Sequence, residues 1–212
     1  MPYGYLGQNT PNQTINNSGV FSITDVAELQ SQGKLGGSLE LIEEQTVSGS
    51  PSSIDFINLA NNPYSVYFVH ISNLISTSQT QIFYRFSNDN GATFKAGATD
   101  YEYAGFRIIS NGSINDPRST GASSIGTDAY TNTSTSNFNS YVYLYNLLDS
   151  TKYSFLTQHS TTNLAGNFRT TFGGGVYQTA ETINGFQILT SSTLTSGTAK
   201  LYGIKEIWAI WD

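Results

Sequence analysis

The sequence predicts an all-β protein, an antiparallel β-sandwich of jelly-roll type that follows a short N-terminal arm. From Ser38 onward, apolar residues recur at every second position or in short runs rich in β-branched and aromatic residues, which is the pattern of strands. Turn-forming residues separate these runs at short intervals. The length of 212 residues suits one large β domain, because all-β domains of roughly 200–250 residues commonly fold as a single unit.

The composition excludes several classes of protein. Charged residues make up 11% of the chain, against about 25% in an average globular domain, and the net charge is −6. Ser, Thr, Asn and Gly together supply 91 of the 212 residues, so hydroxyl and amide groups replace most surface charges. A helical bundle would need more Ala, Glu, Lys and Leu, and a nucleic-acid-binding protein would need a basic excess.

Three features that the sequence lacks bear on its chemistry and its location: cysteines, a cleaved signal and a long apolar run. The chain contains no cysteine, which excludes disulfides and thiolate metal sites. The first residues have neither the basic nor the apolar region of a cleaved signal, and no run approaches 18 apolar residues. We therefore expect neither signal-directed export nor membrane insertion.

Residues 1–37 are rich in Gly, Asn and Gln and form the predicted arm. Asp25 is placed to cap a short helix, with Glu28 three residues later and a stop at Gly33. Such a short helix is marginal in isolation, so its apolar residues must dock on the body, on a second copy or on a larger assembly. These predicted docking residues are Val20, Phe21, Ile23, Val26 and Leu29.

Residues 38–212 form the predicted sandwich, with about ten strands. They are Leu39 to Val47, Ser53 to Leu59, Ser65 to Ser72, Gln81 to Ser87, Tyr101 to Ile109, Tyr141 to Leu147, Tyr153 to Gln158, Asn167 to Phe172, Thr182 to Leu189 and Ala199 to Trp211. The last run is apolar up to the end of the sequence, which favours a terminal strand inserted in the sheet, with contact to a second subunit as the alternative.

The sequence predicts three turns between or beside these strands. Ser87 to Gly91 is predicted to close a hairpin, with Asn90 and Gly91 supplying the positive φ values. Leu148 to Thr151 and Thr195 to Gly197 are predicted to play similar roles.

Alternation within the strands predicts which side chains share a face. Ile82, Tyr84 and Phe86 share one face of their strand. Val142 and Leu144 are expected to point inward, opposite three tyrosines. We expect these tyrosines to form a flat surface that contacts a glycan or a second subunit. They are Tyr141, Tyr143 and Tyr145.

An insert between residues 110 and 140 is dominated by Ser, Thr, Asn and Gly. A structureless connection of thirty residues is improbable within a compact domain. The insert is therefore expected to be either a functional excursion or a segment that becomes ordered against a neighbour.

Signals for chemistry are weak, and we predict no catalytic, cofactor-binding or metal-binding residue. His70 lies in a mostly apolar strand and is interpreted as a hydrogen-bonded structural histidine, whereas His159 is expected in an exposed loop. Asp55 is expected to face outward from its strand. Gly173 to Gly175 leads into a strand-like stretch rather than a helix, so it is interpreted as a flexible corner and not as a phosphate loop.

Several short segments occur in a distinctive order along the chain. The segments are Ser18 to Val26 running into Leu29 and Lys34, Ser53 to Phe56, Tyr67 to Val69, Arg85 to Phe94, Tyr101 to Tyr103 and Leu201 to Ile204. Together they resemble virion appendage proteins of tailed bacteriophages. The resemblance extends over most of the chain from about residue 18.

The resemblance implies a non-enzymatic structural component of the virion, assembled in the host cytoplasm. It implies an arm that docks on other virion proteins of the tail or capsid and a sandwich that projects and contacts the host. The chain lacks the repetitive shaft of long fibres, which favours a compact tail-fibre or adaptor-like appendage, with a capsid decoration or head-fibre protein as the alternative. The resemblance also implies a homo-oligomer. A trimer is one expected form, because fibre proteins of this kind are often trimers.

Two other functions remain open at this stage. A carbohydrate-binding module would use exposed Tyr and loop Asn or Ser side chains to bind a glycan of the host surface. A depolymerase would need two carboxylates that face each other across a groove. The adjacent Glu43 and Glu44 point to opposite faces of one strand, which does not favour the depolymerase.

Overall fold

The computed structural model describes residues 23–24, 39–133 and 137–205. The chain divides into two compact units, Met1–Glu40 and Leu41–Asp212. In the first unit Ile23 and Thr24 are helical, at positions just before the predicted N-cap Asp25. The remaining positions of the predicted arm helix lie outside the described residues.

The described residues from Leu39 onward are built almost entirely from antiparallel strands, and one 3-10 turn lies at Leu59–Asn61. Each of the ten predicted strands has a counterpart in the described residues. The strand Tyr101–Ile109 has the predicted bounds, the others differ at one end or both, and residues 206–211 of the last predicted strand lie outside the described residues. The strands are β1 (Leu39–Thr46), β2 (Ser53–Phe56), β3 (Val66–Ser76), β4 (Thr80–Ser87), β5 (Tyr101–Ile109), β6 (Ile114–Asn115), β7 (Arg118–Ala122), β8 (Tyr130–Thr131), β9 (Phe138–Tyr145), β10 (Ser154–Leu164), β11 (Asn167–Tyr177), β12 (Gly185–Thr190) and β13 (Leu194–Ile204).

The strand order confirms a jelly-roll-like antiparallel sandwich. One layer contains β1-β13-β3-β9, and the other contains β2-β12-β4-β8. The chain alternates between the layers in the way that two interlocked Greek keys require. The first layer continues past β9 through β10, β11 and β5 to β6, with β7 also paired to β5. We call β10, β11, β5, β6 and β7 the extension of the larger sheet.

Aromatic side chains from both layers fill the core. Phe86 of the smaller sheet packs against Tyr101 and Tyr177 of the larger sheet, with Phe86 to Tyr101 ring centroids 6.1 Å apart, and Phe186 packs against Phe86 within the smaller sheet. The Tyr101 hydroxyl accepts a hydrogen bond from the Phe86 amide at 2.8 Å, which ties the two layers together. Burial raises the pKa of Tyr101 well above its ordinary value.

The predicted inward faces are confirmed. Ile82, Tyr84 and Phe86 are all fully buried, and so are Val142 and Leu144. Period-two alternation therefore identifies which side of β4 and β9 faces the core.

The polar insert becomes ordered on its own chain over the residues described. It contributes β6, β7 and β8, and its Ile125 and Ala129 are buried. The Ile125 and Tyr84 amides exchange backbone hydrogen bonds of 3.0 Å, and the Ile82 amide donates to the Ala129 carbonyl at 2.8 Å. This segment packs on the inner face of the extension, where Ile125 lies beside Gly175 and Thr127 beside Gly105. On the opposite, outer face, the aromatic side chains Phe106, Phe155, Phe168 and Phe172 are exposed within the part of the chain that the structure describes.

The three predicted turns have different outcomes. Residues 148–151 connect β9 to β10 as an antiparallel hairpin, as predicted. Asn90 and Gly91 have the predicted positive φ values of 57° and 81°, but the hairpin itself is wrong, because β4 pairs with β12 and β8 and the chain then crosses to β5 in the other sheet. Residues 195–197 lie inside β13, where register shifts mark a bulge and Gly197 takes a φ of 131°.

Asp89 stabilises the crossing after β4. Its carboxylate accepts hydrogen bonds from the Ser87 hydroxyl at 2.6 Å and from the Thr93 amide and hydroxyl at 2.9 and 2.6 Å. These donors favour the ionised form and lower the pKa of Asp89 to about 2.

We expect a pH dependence that follows from this depressed pKa. Because the folded pKa lies below the unfolded value, the contribution of Asp89 to stability is complete above that ordinary value and is lost as the pH falls towards 2. An NMR titration of the Asp89 side chain should show its midpoint near pH 2. Ser87→Ala should move that midpoint upward. A midpoint at the ordinary carboxyl value in the unsubstituted protein would contradict the expectation.

Candidate functional site

The outer face of the larger sheet presents an unusual number of exposed aromatic side chains. Phe106, Phe155, Phe168 and Phe172 of β5, β10 and β11 keep between 42% and 50% of their surface accessible. Tyr141 of β9 is 42% exposed on the same face. Single exposed apolar residues are common on proteins, but contiguous patches of this kind mark contact surfaces or ligand grooves.

Charge is nearly absent from this face. Strands β5, β9, β10 and β11 carry eighteen outward positions, which include one carboxylate, Glu102, and no Lys or Arg. The outward residues are Glu102, Ala104, Phe106, Ile108, Asn139, Tyr141, Tyr143, Tyr145, Phe155, Thr157, His159, Thr161, Asn163, Phe168, Thr170, Phe172, Gly174 and Val176. We call this set the outer face.

The strand register arranges the outer face in rows that run across the strands. One row of large side chains, the aromatic ridge, consists of Tyr141, His159, Phe172 and Phe106. The Phe106 and Phe172 rings stack with centroids 6.0 Å apart and an angle of 10°, and Tyr141 meets His159 edge to face at 5.3 Å. These contacts hold the ridge side chains in place.

A row of small side chains, the trough, lies beside the aromatic ridge. It consists of Thr157, Gly174 and Ala104, which are direct neighbours across β10, β11 and β5. Phe155 and Val176 form a second ridge on its other side. A groove of about 830 Å³ lies here, with Arg118 at the end formed by β7.

The glycines of the trough region are required by close backbone packing. A Cβ on Gly174 would stand 2.5 Å from the carbonyl oxygen of Leu156, and one on Gly173 would stand 2.6 Å from that of Ala104. The expected flexible corner at residues 173–175 is therefore wrong. These residues lie in the middle of β11, paired on both sides, and Gly is used because neighbouring strands approach too closely for a side chain.

The three predicted tyrosines lie together beside the trough. Tyr141, Tyr143 and Tyr145 project outward from β9, with Tyr143 and Tyr145 rings stacked at 6.3 Å. Phe68 of β3 extends the cluster, with its ring 5.1 Å from that of Tyr143. We call Phe68, Tyr141, Tyr143 and Tyr145 the tyrosine surface. Its role in binding stays a prediction.

Both histidine interpretations are wrong. His70 is exposed on the outer side of β3, because the alternation of that strand buries Val69 and Ile71 instead. His159 lies within β10, not in a loop, and its Nε2 lies 2.8 Å from the Thr170 hydroxyl. The strand continues past the predicted end at Gln158 through a run of Ser, Thr and Asn, which the sequence alone makes look like a loop.

Asp55 occupies the half-buried outer side of β2, and its carboxylate accepts a hydrogen bond of 3.0 Å from the Gln187 amide. Among the described residues, no three His, Asp or Glu side chains come together as a metal site would require.

A charged cluster on the inner side of the extension was missed by sequence reasoning. Arg107 pairs with Asp128 at 2.7 Å with both side chains largely buried, and its guanidinium lies 5.5 Å from the Tyr130 ring. Burial, followed by the nearby Asp128 charge, raises the pKa of Tyr130. Burial and then Arg107 lower the pKa of Arg169. The pair joins the insert to β5, and no local motif links residues 21 positions apart.

Four of the five predicted docking residues of the arm lie outside the residues that the structure describes. Ile23 is 91% exposed. Val20, Phe21, Val26 and Leu29 lie outside the described residues, as do the last seven positions of the sequence.

Fold and site together define a jelly-roll sandwich with an extended larger sheet and an open, nearly uncharged aromatic outer face. Comparison with known proteins adds no relative: no family model, no curated protein and no solved structure matches the chain. Within the described ranges, no helix is long and apolar enough to cross a membrane.

Proposed function

We propose that the chain is a non-enzymatic structural component of a tailed-phage virion, a tail-fibre or adaptor-like appendage that acts by association. Residues 1–37 dock it on other virion proteins, and the jelly-roll sandwich projects from the particle towards the host. A capsid decoration or head-fibre protein would use the same parts in another place on the particle. The protein is assembled in the host cytoplasm and resides in the virion.

The observation that carries this proposal is the composition of the outer face, the eighteen outward positions of β5, β9, β10 and β11. Its exposed aromatic side chains and its single carboxylate have the composition of the centre of a protein interface, where aromatic residues are enriched and charges depleted. Association through a face of this kind lowers the free energy, because burying the face removes apolar surface from water at little electrostatic cost.

The jelly roll supports the proposal by analogy alone, since viral capsid domains and lectins both use this architecture and fold does not determine function. The bacteriophage resemblance of the sequence selects the virion from these alternatives. It also supports self-association of the chain.

A carbohydrate-binding module is the second candidate, favoured by the tyrosine surface. Tyr141, Tyr143 and Tyr145 border a groove of about 650 Å³ that also contains His159. Aromatic rings beside hydroxyl and imidazole groups offer both stacking and hydrogen bonds to a sugar. Purified protein that fails to adsorb to host cells or to envelope polysaccharide would argue against this candidate.

Substitutions in the arm test the proposed function. We expect Phe21→Ser combined with Leu29→Ser to leave the sandwich folded but to remove the protein from particles, because the arm loses its apolar docking groups. Immunoblots of purified particles, assembled with the variant as the only copy, measure incorporation. Circular dichroism checks the fold.

Leu41→Ser is the matched control, since Leu41 is an exposed apolar residue of the second unit. It should be incorporated normally. Arm variants present in particles at the wild-type copy number would contradict docking through the arm. The absence of the wild-type protein from particles would contradict the virion role itself.

A further inference from the structure

We propose that the outer face packs against the same face of a second copy of this chain about a twofold axis, with the aromatic ridge of each copy seated in the trough of the other. The inference rests on the proposed function in one respect, that the outer face is a contact surface. It names the partner and the geometry of that contact.

The size of the outer face agrees with a protein partner. The outer face comprises strands β9, β10, β11 and β5, which span about 19 Å at the usual spacing. Strands of 8 to 11 residues are roughly 26–36 Å long. The face therefore offers on the order of 500–700 Å², or about 1,000–1,400 Å² over two copies, which reaches the lower end of the range for specific interfaces.

The charge pattern favours a second copy over a charged partner. The whole chain carries a net charge of −6, so two copies repel each other at most surfaces. At the outer face this repulsion is smallest, because Glu102 is the only formally charged side chain among its eighteen positions. Glu102 lies at the margin, on the row of the second ridge.

The relief of the face is self-complementary. Neighbouring rows are two residues apart, about 6.7 Å along the strands. A twofold axis parallel to the rows, midway between aromatic ridge and trough, exchanges the two rows while keeping each strand over its own counterpart. Phe172 then lies over Gly174 of the second copy, Phe106 over Ala104 and His159 over Thr157. On β9 the same axis places Tyr141 over Tyr143, so the fit of ridge into trough is confined to β10, β11 and β5.

The ridge is also preorganised for this contact. Phe106 and Phe172 are already stacked on each other, and the His159 Nε2 lies 2.8 Å from the Thr170 hydroxyl. Side chains that are fixed before binding lose less rotamer freedom when they are buried.

The first experiment measures the mass of the full chain by sedimentation equilibrium. We expect a species of twice 23.1 kDa. Phe172→Ser should raise the dimer dissociation constant about 30-fold, as loss of a central aromatic anchor typically does. Phe168→Ser is the matched control: Phe168 is 50% exposed on the same strand but lies roughly 16 Å from the axis, so its effect should be several-fold smaller.

Ala104→Trp distinguishes a shape-complementary interface from non-specific association through exposed apolar surface. The substitution adds exposed apolar surface but fills the trough, so the proposal expects weaker dimerisation. Stronger association of Ala104→Trp would overturn the ridge-in-trough geometry. The proposal would be overturned by a wild-type protein that is monomeric at 100-fold the expected working concentration, or by one that is trimeric. Either result would overturn it regardless of whether other residues of the chain or a saccharide cover the face.

Chemical crosslinking tests the register in a chain that has no native cysteine. Stacked sheets lie about 10 Å apart, too far for a disulfide, so a short bis-maleimide is the reagent. A mixture of Thr157→Cys and His159→Cys proteins should give a crosslinked dimer. Asn163→Cys alone should not, because the axis places its two copies roughly 30 Å apart.

The results of these dimerisation experiments do not depend on whether the protein is incorporated into particles. A crosslinked dimer of a protein that is missing from virions would support this inference and contradict the proposed function. A monomeric protein present in virions would do the reverse.

Discussion

Phe86→Ala is expected to lower the free energy of unfolding by about 3–5 kcal/mol, as removal of a fully buried aromatic side chain typically does. Phe86 contacts the rings of Tyr101, Tyr177 and Phe186, with centroids 6.1, 6.4 and 5.9 Å away. Its removal leaves a cavity between the two sheets at the point where three aromatic partners meet. Urea denaturation followed by tyrosine fluorescence measures the loss.

Phe83→Ala is the control on the same strand. Phe83 points to the opposite, half-buried side of β4, so its truncation should cost less than half as much. The backbone hydrogen bond from residue 86 to the Tyr101 hydroxyl can persist in Phe86→Ala, which keeps the comparison to side-chain packing. Equal losses for the two variants would show that the inner face of β4 is not the centre of the core.

The fold was predictable because its signals are local. Alternation in β4 and β9 requires only that one side of each strand be buried, and the sequence shows this directly. The ends of strands were less predictable. Residues 160–164 of β10 and 173–177 of β11 are Thr-, Asn- or Gly-rich, yet they are paired on neighbouring strands, and that pairing outweighs local preference.

The turn after β4 shows the same limit. Asn90 and Gly91 specify a backbone with positive φ, and the structure has it. Which strand follows next to β4 depends on packing between sheets, which two residues cannot encode.

The outer face was predicted only at its tyrosine edge. Tyr141, Tyr143 and Tyr145 belong to one strand, so their common side is visible in one short segment. Phe106, Phe155 and Phe172 come from three strands, and the order β10-β11-β5 that makes them neighbours is a property of the whole sheet. A partial signal existed in β11, where Phe168, Phe172 and Gly174 share one side.

Gly173→Ala is expected to be severely destabilising, with a loss of about 3 kcal/mol or more, because the added methyl group has no space. Its Cβ would stand 2.6 Å from the Ala104 carbonyl oxygen and 2.7 Å from the Gly105 Cα. Both are backbone atoms of β5, so a side chain cannot rotate away to relieve the clash. The strand β5 would have to separate from β11, and with it the support for Phe106 and the trough.

Gly121→Ala is the matched control because it makes the same chemical change where there is room. The nearest atom to its Cβ would be the Thr99 Cγ2 at 3.4 Å, an ordinary contact. Losing glycine restricts the unfolded chain, so this variant should be neutral or more stable by about 0.4–1 kcal/mol. Thermal denaturation of the two variants compares them directly. A Gly173→Ala protein as stable as Gly121→Ala would mean that β11 and β5 do not approach as closely as described.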